Sequence, residues 1–114
     1  LAYIQYPSDR TVAFALGLYP TWRGKGLGIA ARNNLVAFCF ESPSVMKVES
    51  EVYTSNRVSL DIFHMGERAL LKNEGLQRGT IYIEGKPVDR VLFGLTRAEW
   101  ELVKPGILRE INAI

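Results

Sequence analysis

Two hydrophobic periods alternate along this chain. From Thr11 to Tyr19 the period is two: Val12, Phe14, Leu16 and Leu18 share one face, and the small residues Ala13, Ala15 and Gly17 share the other. That alternation predicts a strand. The aromatic-rich run Ala2 to Tyr6 and the turn residues Pro7-Ser8-Asp9-Arg10 make it the second arm of a hairpin. Its small-residue face leaves room for another backbone or a ligand to approach. The period then changes. From about Leu27 to Glu41, an apolar stripe of Leu27, Ala31, Leu35, Phe38 and Cys39 recurs at three-to-four spacing, with Arg32 and Asn33 off it. This predicts an amphipathic helix, ended by Ser42-Pro43-Ser44.

Val45 to Tyr53 alternates again, with Met46, Val48 and Val52 on one side and Lys47, Glu49, Glu51 and Tyr53 on the other. A strand that follows a helical crossover is expected to run parallel to the strand before it. Ser55 or Asn56 caps a further helix from Arg57, with Val58, Ile62 and Met65 inward. Leu76 to Glu84 and Val88 to Leu95, around Gly85-Lys86-Pro87, read as a hairpin. Thr96-Arg97-Ala98-Glu99 is a capping-box sequence before a short helix through Val103, closed by Pro105-Gly106. The predicted order β-β-α-β-α-β-β-α is an α/β arrangement with a mixed sheet, and 1–114 reads as a single domain.

Composition narrows the class. The chain has 114 residues, 47% hydrophobic and 23% charged, so it has the length and apolar content of one globular domain. Fourteen Lys and Arg against twelve Asp and Glu leave a net charge of +2, too weak a balance to indicate a nucleic-acid partner. The single cysteine, Cys39, excludes an internal disulfide and fits a reducing, cytoplasmic compartment; it sits on the apolar stripe and reads as core. The longest apolar run, Leu35 to Phe40, is too short to span a bilayer, so no membrane partner is expected. One His and one Cys give no metal-ligand spacing, so no metal is expected.

The segment with chemistry in it is Arg23-Gly24-Lys25-Gly26-Leu27-Gly28, between a strand and a helix. Glycines let the backbone come close to a ligand, the first amides of a helix lack intrahelical partners, and Arg23 and Lys25 add positive charge. Together these suit a phosphate or pyrophosphate. A Walker A loop is excluded, because Lys25 is followed by Gly26 and Tyr19 stands five residues before Gly24. Gly26-x-Gly28-x-x-Ala31, with Glu49 about twenty residues on, matches a dinucleotide fingerprint. In that motif, however, the glycines follow the strand directly, and here 20–25 intervene. Dinucleotide binding remains one alternative, and a tight turn with no ligand is another.

Residues 16–28 also resemble the acetyl-CoA motif of the GCN5-related N-acetyltransferases (GNAT): a strand, a proline near its end, then R-x-x-G-x-G opening a helix. Asn56-Arg57-Val58-Ser59 resembles the N-x-x-S of the later helix, especially in the ribosomal-protein-alanine acetyltransferase-like branch. Gly75, Gly85, Asp89 and Val91-Leu92-Phe93 resemble that branch's closing hairpin. The resemblance covers about 2–100. It implies a GNAT-like fold lacking its usual first strand, two helices and second strand. It also implies acetyl transfer from acetyl-CoA to a primary amine, such as a protein N-terminus, by direct attack on the thioester. Alternatives are a non-catalytic CoA-binding module or a fragment completed by a partner chain, and a homodimer is a further expectation.

By the same resemblance, Leu16, Gly17 and Leu18 hold the acetyl-pantetheine arm. Arg23, Gly24, Lys25, Gly26, Leu27, Gly28 and Ile29 hold the pyrophosphate, and Asn56 and Ser59 touch the arm. The Leu18 amide is the implied oxyanion donor. The family often carries a Glu on the first central strand and a Tyr seven residues after the Asn; Thr11 to Tyr19 has no acid, and the second position is Phe63. Glu51, then Glu49 and Tyr53, are the candidates for proton handling, against the plainer reading of a solvated strand face. Asn56 and Ser59 read equally as helix decoration, His64 as a surface or structural residue, Trp100 as a packing anchor and Asp89 as a hairpin stabiliser.

Overall fold

The structure, a computed structural model, describes residues 2–16, 27–57, 60 and 70–112. Five strands form one sheet: β1 (Ala2–Gln5), β2 (Thr11–Leu16), β3 (Lys47–Tyr53), β4 (Lys72–Ile83) and β5 (Lys86–Thr96). Two helices are described, α1 (Leu27–Cys39) and α2 (Arg97–Asn112). The sheet order is β1-β2-β3-β5-β4. β2 and β3 are parallel, joined through α1, and every other neighbouring pair is antiparallel. The mixed α/β sheet and the parallel central pair are as the periodicity predicts.

The core lies under one face of the sheet. Val12 and Phe14 of β2, Val48 and Val52 of β3, and Val91, Phe93 and Leu95 of β5 are buried there with Val36 and Cys39 of α1 and Trp100 of α2. Each such side chain contributes about 1.5–3 kcal/mol by leaving water. Trp100 is the packing anchor its size suggests: it is 2% exposed and stacks on Phe40 with ring centroids 5.4 Å apart. The Arg97 guanidinium also lies over the Phe40 ring, 5.1 Å from its centroid. The guanidinium donates to the Phe40, Ser42 and Val45 carbonyls at 2.9, 2.8 and 2.7 Å, closing the end of α1 onto the start of α2.

Four expectations need correction. The first concerns α1, whose buried face is Gly28, Arg32, Asn33, Val36 and Cys39, whereas Leu27 and Phe38 are 39% and 57% exposed. Arg32 and Asn33 go inside because they satisfy each other there. Arg32 donates to Asn33 Oδ1 at 2.9 and 3.1 Å, and Asn33 Nδ2 donates to Glu110 Oε2 at 3.2 Å. A polar group can be buried when its hydrogen bonds are made.

The second concerns α2, which does not close at Pro105-Gly106 but continues to Asn112. Proline removes one helical N–H at a cost of about 3 kcal/mol. Here tertiary contacts beyond it offset that cost: Ile107 packs on the core, and Glu110 meets Asn33. The third concerns the entry to β3, where Val45 is buried and Met46 is 38% exposed, because regular alternation starts only at Lys47. The fourth concerns the final hairpin, which is longer than its apolar runs. β4 starts at Lys72 and β5 at Lys86, with a tight turn at Glu84-Gly85, both at positive φ. Leu60 N donates to Asn56 O at 3.0 Å, as a helix starting near Arg57 requires. Val58, Ile62 and Met65 of its predicted inner stripe, and His64, lie outside the described residues.

Candidate functional site

β2 and β3 begin as a parallel pair and then separate. Their register runs Thr11↔Lys47, Val12↔Val48 and Ala13↔Glu49, and stops. Beyond that point β2 stays with β1, through Ile4↔Phe14, Tyr3↔Ala15 and Ala2↔Leu16. β3 stays with β5, through Ser50↔Phe93 to Tyr53↔Arg90. The two strands therefore diverge inside a continuous sheet and leave a wedge. Backbone groups facing such a gap need partners. One is supplied by a side chain: Ser50, 6% exposed, donates from Oγ to the Phe14 carbonyl at 2.8 Å.

A cleft of about 380 Å³ opens at this wedge, lined among others by Ala13 and Ala15 of β2, Glu49 and Glu51 of β3, and Leu92 of β5. Ala13 and Ala15 present the small-residue face of β2 to it, as the sequence pattern predicts. Glu74 of β4 reaches the same cleft. A bulge between Asn73 and Gly75 sets its place on the strand, with the Gly75 amide donating to Asn73 Oδ1 at 2.9 Å. Its carboxylate lies over Gly94, where an added Cβ would meet Oε1 and displace the end of the Glu74 side chain. Glu74 also pairs with Lys47 at 2.9 Å. That carboxylate, with smaller help from Glu49 and Glu99, raises the Lys47 ammonium above its ordinary pKa.

Of the three candidates for proton handling, Glu49 and Glu51 line the cleft. Tyr53 shares their strand but is not part of the lining, because two further residues carry it past the cleft. Glu51 is half-exposed and pairs through Oε2 with Arg90 Nη1 at 2.8 Å. Arg90 is itself held by Gln77, whose Oε1 accepts from Nε at 2.8 Å and also from Nη2.

Of the cofactor candidates, Leu16 ends β2 at the wedge, and Leu27, Gly28 and Ile29 form the first turn of α1. Gly28 is buried and Ile29 half-buried there. Asn56 is exposed just after β3, and its amide donates to the Tyr53 carbonyl at 2.9 Å. Gly17, Leu18, Arg23, Gly24, Lys25, Gly26 and Ser59 lie outside the described residues. Asp89 stabilises the hairpin as expected: Oδ1 accepts from the Gly79 amide at 2.9 Å and its carbonyl accepts from the Thr54 amide at 2.9 Å. Cys39 is 5% exposed, and burial pushes its thiol up to about 11, as befits a core residue. Among the described residues no group of three or more His, Cys, Asp or Glu could hold a metal ion. No helix among them is long and apolar enough to cross a membrane.

Ser50, Arg90 and Glu74 escape a reading by sequence alone. Ser50 has a signal: it is the one polar residue on the inward face of β3, between Val48 and Val52. Arg90 and Glu74 have none, because strand pairing across the sheet brings them to the cleft from β5 and β4.

The chain is 30% identical over 92 residues to the SPbeta prophage-derived uncharacterized N-acetyltransferase YokL of Bacillus subtilis, a match over 81% of this chain and 50% of that protein. Its structure resembles the spermidine N-acetyltransferase of Vibrio cholerae solved with CoA and spermine, with a TM-score of 0.69, 17% identity, and 82% and 53% of the two chains covered. It also resembles the microcin C7 self-immunity acetyltransferase MccE solved with acetyl-CoA and AMP, with a TM-score of 0.64, 18% identity, and 77% and 47% covered. The relative and both neighbours carry acetyltransferase names, the class of protein that the GNAT resemblance implies. The GNAT-like α/β sheet and the expectation of an acetyltransferase relationship stand, while no particular branch of the family is singled out. The chain spans about half the length of the curated relative it matches. No protein-family model matches it.

Proposed function

We propose that this chain forms the acetyl-CoA cleft of an N-acetyltransferase whose acceptor is a primary amine, a protein N-terminus being one candidate. The single observation behind this reading is the parting of β2 and β3 after Ala13↔Glu49. A narrow, flat slot between main-chain edges accepts an extended, amide-bearing arm, because the arm can take the hydrogen bonds the neighbouring strand no longer makes. Pantetheine is such an arm. Two acetyltransferases of similar fold were solved with CoA or acetyl-CoA, which supports the same ligand class here.

In this reading, Leu16, with Gly17 and Leu18, borders the arm from β2. The segment 24–29 takes the diphosphate, with Leu27, Gly28 and Ile29 contributing the first turn of α1. Arg23 and Lys25 add charge, and Asn56 and Ser59 touch the arm. Acetyl-CoA, when bound, supplies a thioester-activated acetyl group. The chain's own task is proton management. An amine attacks only in its neutral form, so a base must take its proton at or near the cleft. Glu51, with Glu49 beside it, offers a carboxylate on the cleft wall for this, directly or through water. By the GNAT resemblance, the Leu18 amide is the donor to the developing oxyanion.

Two assays decide between this reading and its rivals. Acetyl-CoA raising the melting temperature, with NAD giving no shift, supports a CoA cleft; the reverse supports a dinucleotide site. Thiol release in the presence of an amine panel supports catalysis. CoA binding with no thiol release from any amine, peptide N-termini included, reduces the chain to a binding module.

A further inference from the structure

The Glu51 carboxylate is held by a relay that crosses three strands. Arg90 on β5 stands opposite Gln77 on β4 and Tyr53 on β3 in the sheet register, and Glu51 is diagonal to it. Gln77 Oε1 accepts from Arg90 Nε at 2.8 Å and from Nη2, which fixes the guanidinium plane. The remaining nitrogen, Nη1, reaches Glu51 Oε2 at 2.8 Å. Among the described residues, the other carboxylate oxygen, Oε1, has no hydrogen-bond partner, and Glu51 and Arg90 both line the cleft.

An exposed ion pair adds little to folding stability, and this one has a carboxylate whose side chain is 50% exposed. Its effect is geometric. A glutamate has three rotatable bonds, and left alone at a cleft mouth it samples many rotamers. A guanidinium locked from behind by an amide oxygen removes that freedom and leaves one oxygen directed by the other.

We propose that Arg90, locked by Gln77, is a positioning residue that holds the Glu51 carboxylate at the cleft with Oε2 anchored and Oε1 available to accept a proton. This rests on the reading of Glu51 as the proton acceptor. In this role Arg90 acts through Glu51 and needs no contact of its own with acetyl-CoA or the amine. The arrangement makes the anchor a device for alignment, so its loss is felt in kcat and not in cofactor affinity.

The test is a kinetic double-mutant cycle on the intact protein with Glu51→Gln, Arg90→Ala and the pair, together with Arg90→Lys and Gln77→Leu. Glu51→Gln lowers kcat by a hundredfold or more on the order expected for a lost acid–base group. Arg90→Ala lowers kcat on the order of tenfold, the cost of a misaligned group still present. The KM for acetyl-CoA stays within about twofold, because uniform binding is untouched. Gln77→Leu gives a smaller loss in the same direction, and Arg90→Lys recovers part of it. In the Glu51→Gln background, Arg90→Ala costs nothing further. Additive losses in the cycle, or an unchanged kcat for Arg90→Ala alongside a damaged Glu51→Gln, overturn the positioning role and leave the Glu51 reading standing. An unchanged kcat for Glu51→Gln overturns that reading, and the role of Arg90 with it. A protein in which acetyl-CoA binds but Glu51→Gln, Arg90→Ala and wild type alike release no thiol overturns both.

Discussion

Ser50 and Phe14 face each other where the sheet divides: the Ser50 hydroxyl donates to the Phe14 carbonyl across 2.8 Å, one residue past the last β2–β3 register pair. The bond is buried and replaces a strand-to-strand contact with a side-chain bridge. It marks the apex of the wedge and fixes how far the strands stay together before they part.

Replacing Ser50 by Ala removes the bridge and leaves a buried carbonyl without that donor, which costs about 1–3 kcal/mol. The expected result is a lower urea midpoint with an unchanged m-value. A midpoint equal to that of the parent protein would show that the bridge contributes nothing.

The start of α2 carries a pH-dependent contact. Thr96 Oγ1 accepts from the Glu99 amide at 3.2 Å, and Glu99 Oε1 accepts from the Thr96 amide at 3.0 Å, so the two residues cap each other. Lys72 pairs with the same carboxylate. The Lys72 contact and then the Thr96 amide pull the Glu99 carboxyl down to about 2 from an ordinary 4.5. A depressed folded-state pKa stabilises the protein above the unfolded value, and that contribution drains away as pH falls from 4.5 through about 2. Glu99→Gln should therefore be less stable than the parent at pH 7. Denaturant melts at pH 7 and pH 2 check this: the gap between the two proteins should narrow at the lower pH, and a constant gap would contradict it.

Pro105 sits inside α2. Its ring leaves the helix one hydrogen bond short. Pro105→Ala restores that bond and should raise stability by about 1–3 kcal/mol, seen as a higher melting temperature by circular dichroism. A fall would mean that the backbone conformation proline imposes there helps bring Ile107 and Glu110 to their partners.

How far the sequence discloses this protein depends on which physical signal each element leaves. Val12 and Phe14, and Val48 and Val52, advertise their strands because side chains alternate on a pleated backbone. The parallel pairing of β2 and β3 follows from the helix between them. Thr96 and Glu99 announce their helix start through a local reciprocal bond. Arg32 and Asn33 mislead, because polarity alone assigns them to the outside, and the contacts they make with each other and with Glu110 help keep them in. Pro105 misleads for a related reason: its local preference is overridden by contacts made beyond it. The candidate site divides the same way. The glycine motif that points to a phosphate is local and legible, and most of it, 23–26, lies outside the described residues. The small residues Ala13 and Ala15 mark the cleft side of β2 in the sequence, but the point where β2 and β3 part after Ala13↔Glu49 is a divergence of two backbones that side-chain periodicity does not record. Arg90 and Glu74 reach the cleft only through the register of the long hairpin.

The most direct measurement is an amide chemical-shift titration of the ¹⁵N-labelled protein with acetyl-CoA. The account predicts that the largest changes fall on residues 14–18 and 24–29, with smaller ones on 50–53, and that the Val12 and Val48 amides, in the paired part of the strands, move little. Saturable changes elsewhere with 14–18 and 24–29 still, or no changes at any concentration of acetyl-CoA, would contradict it.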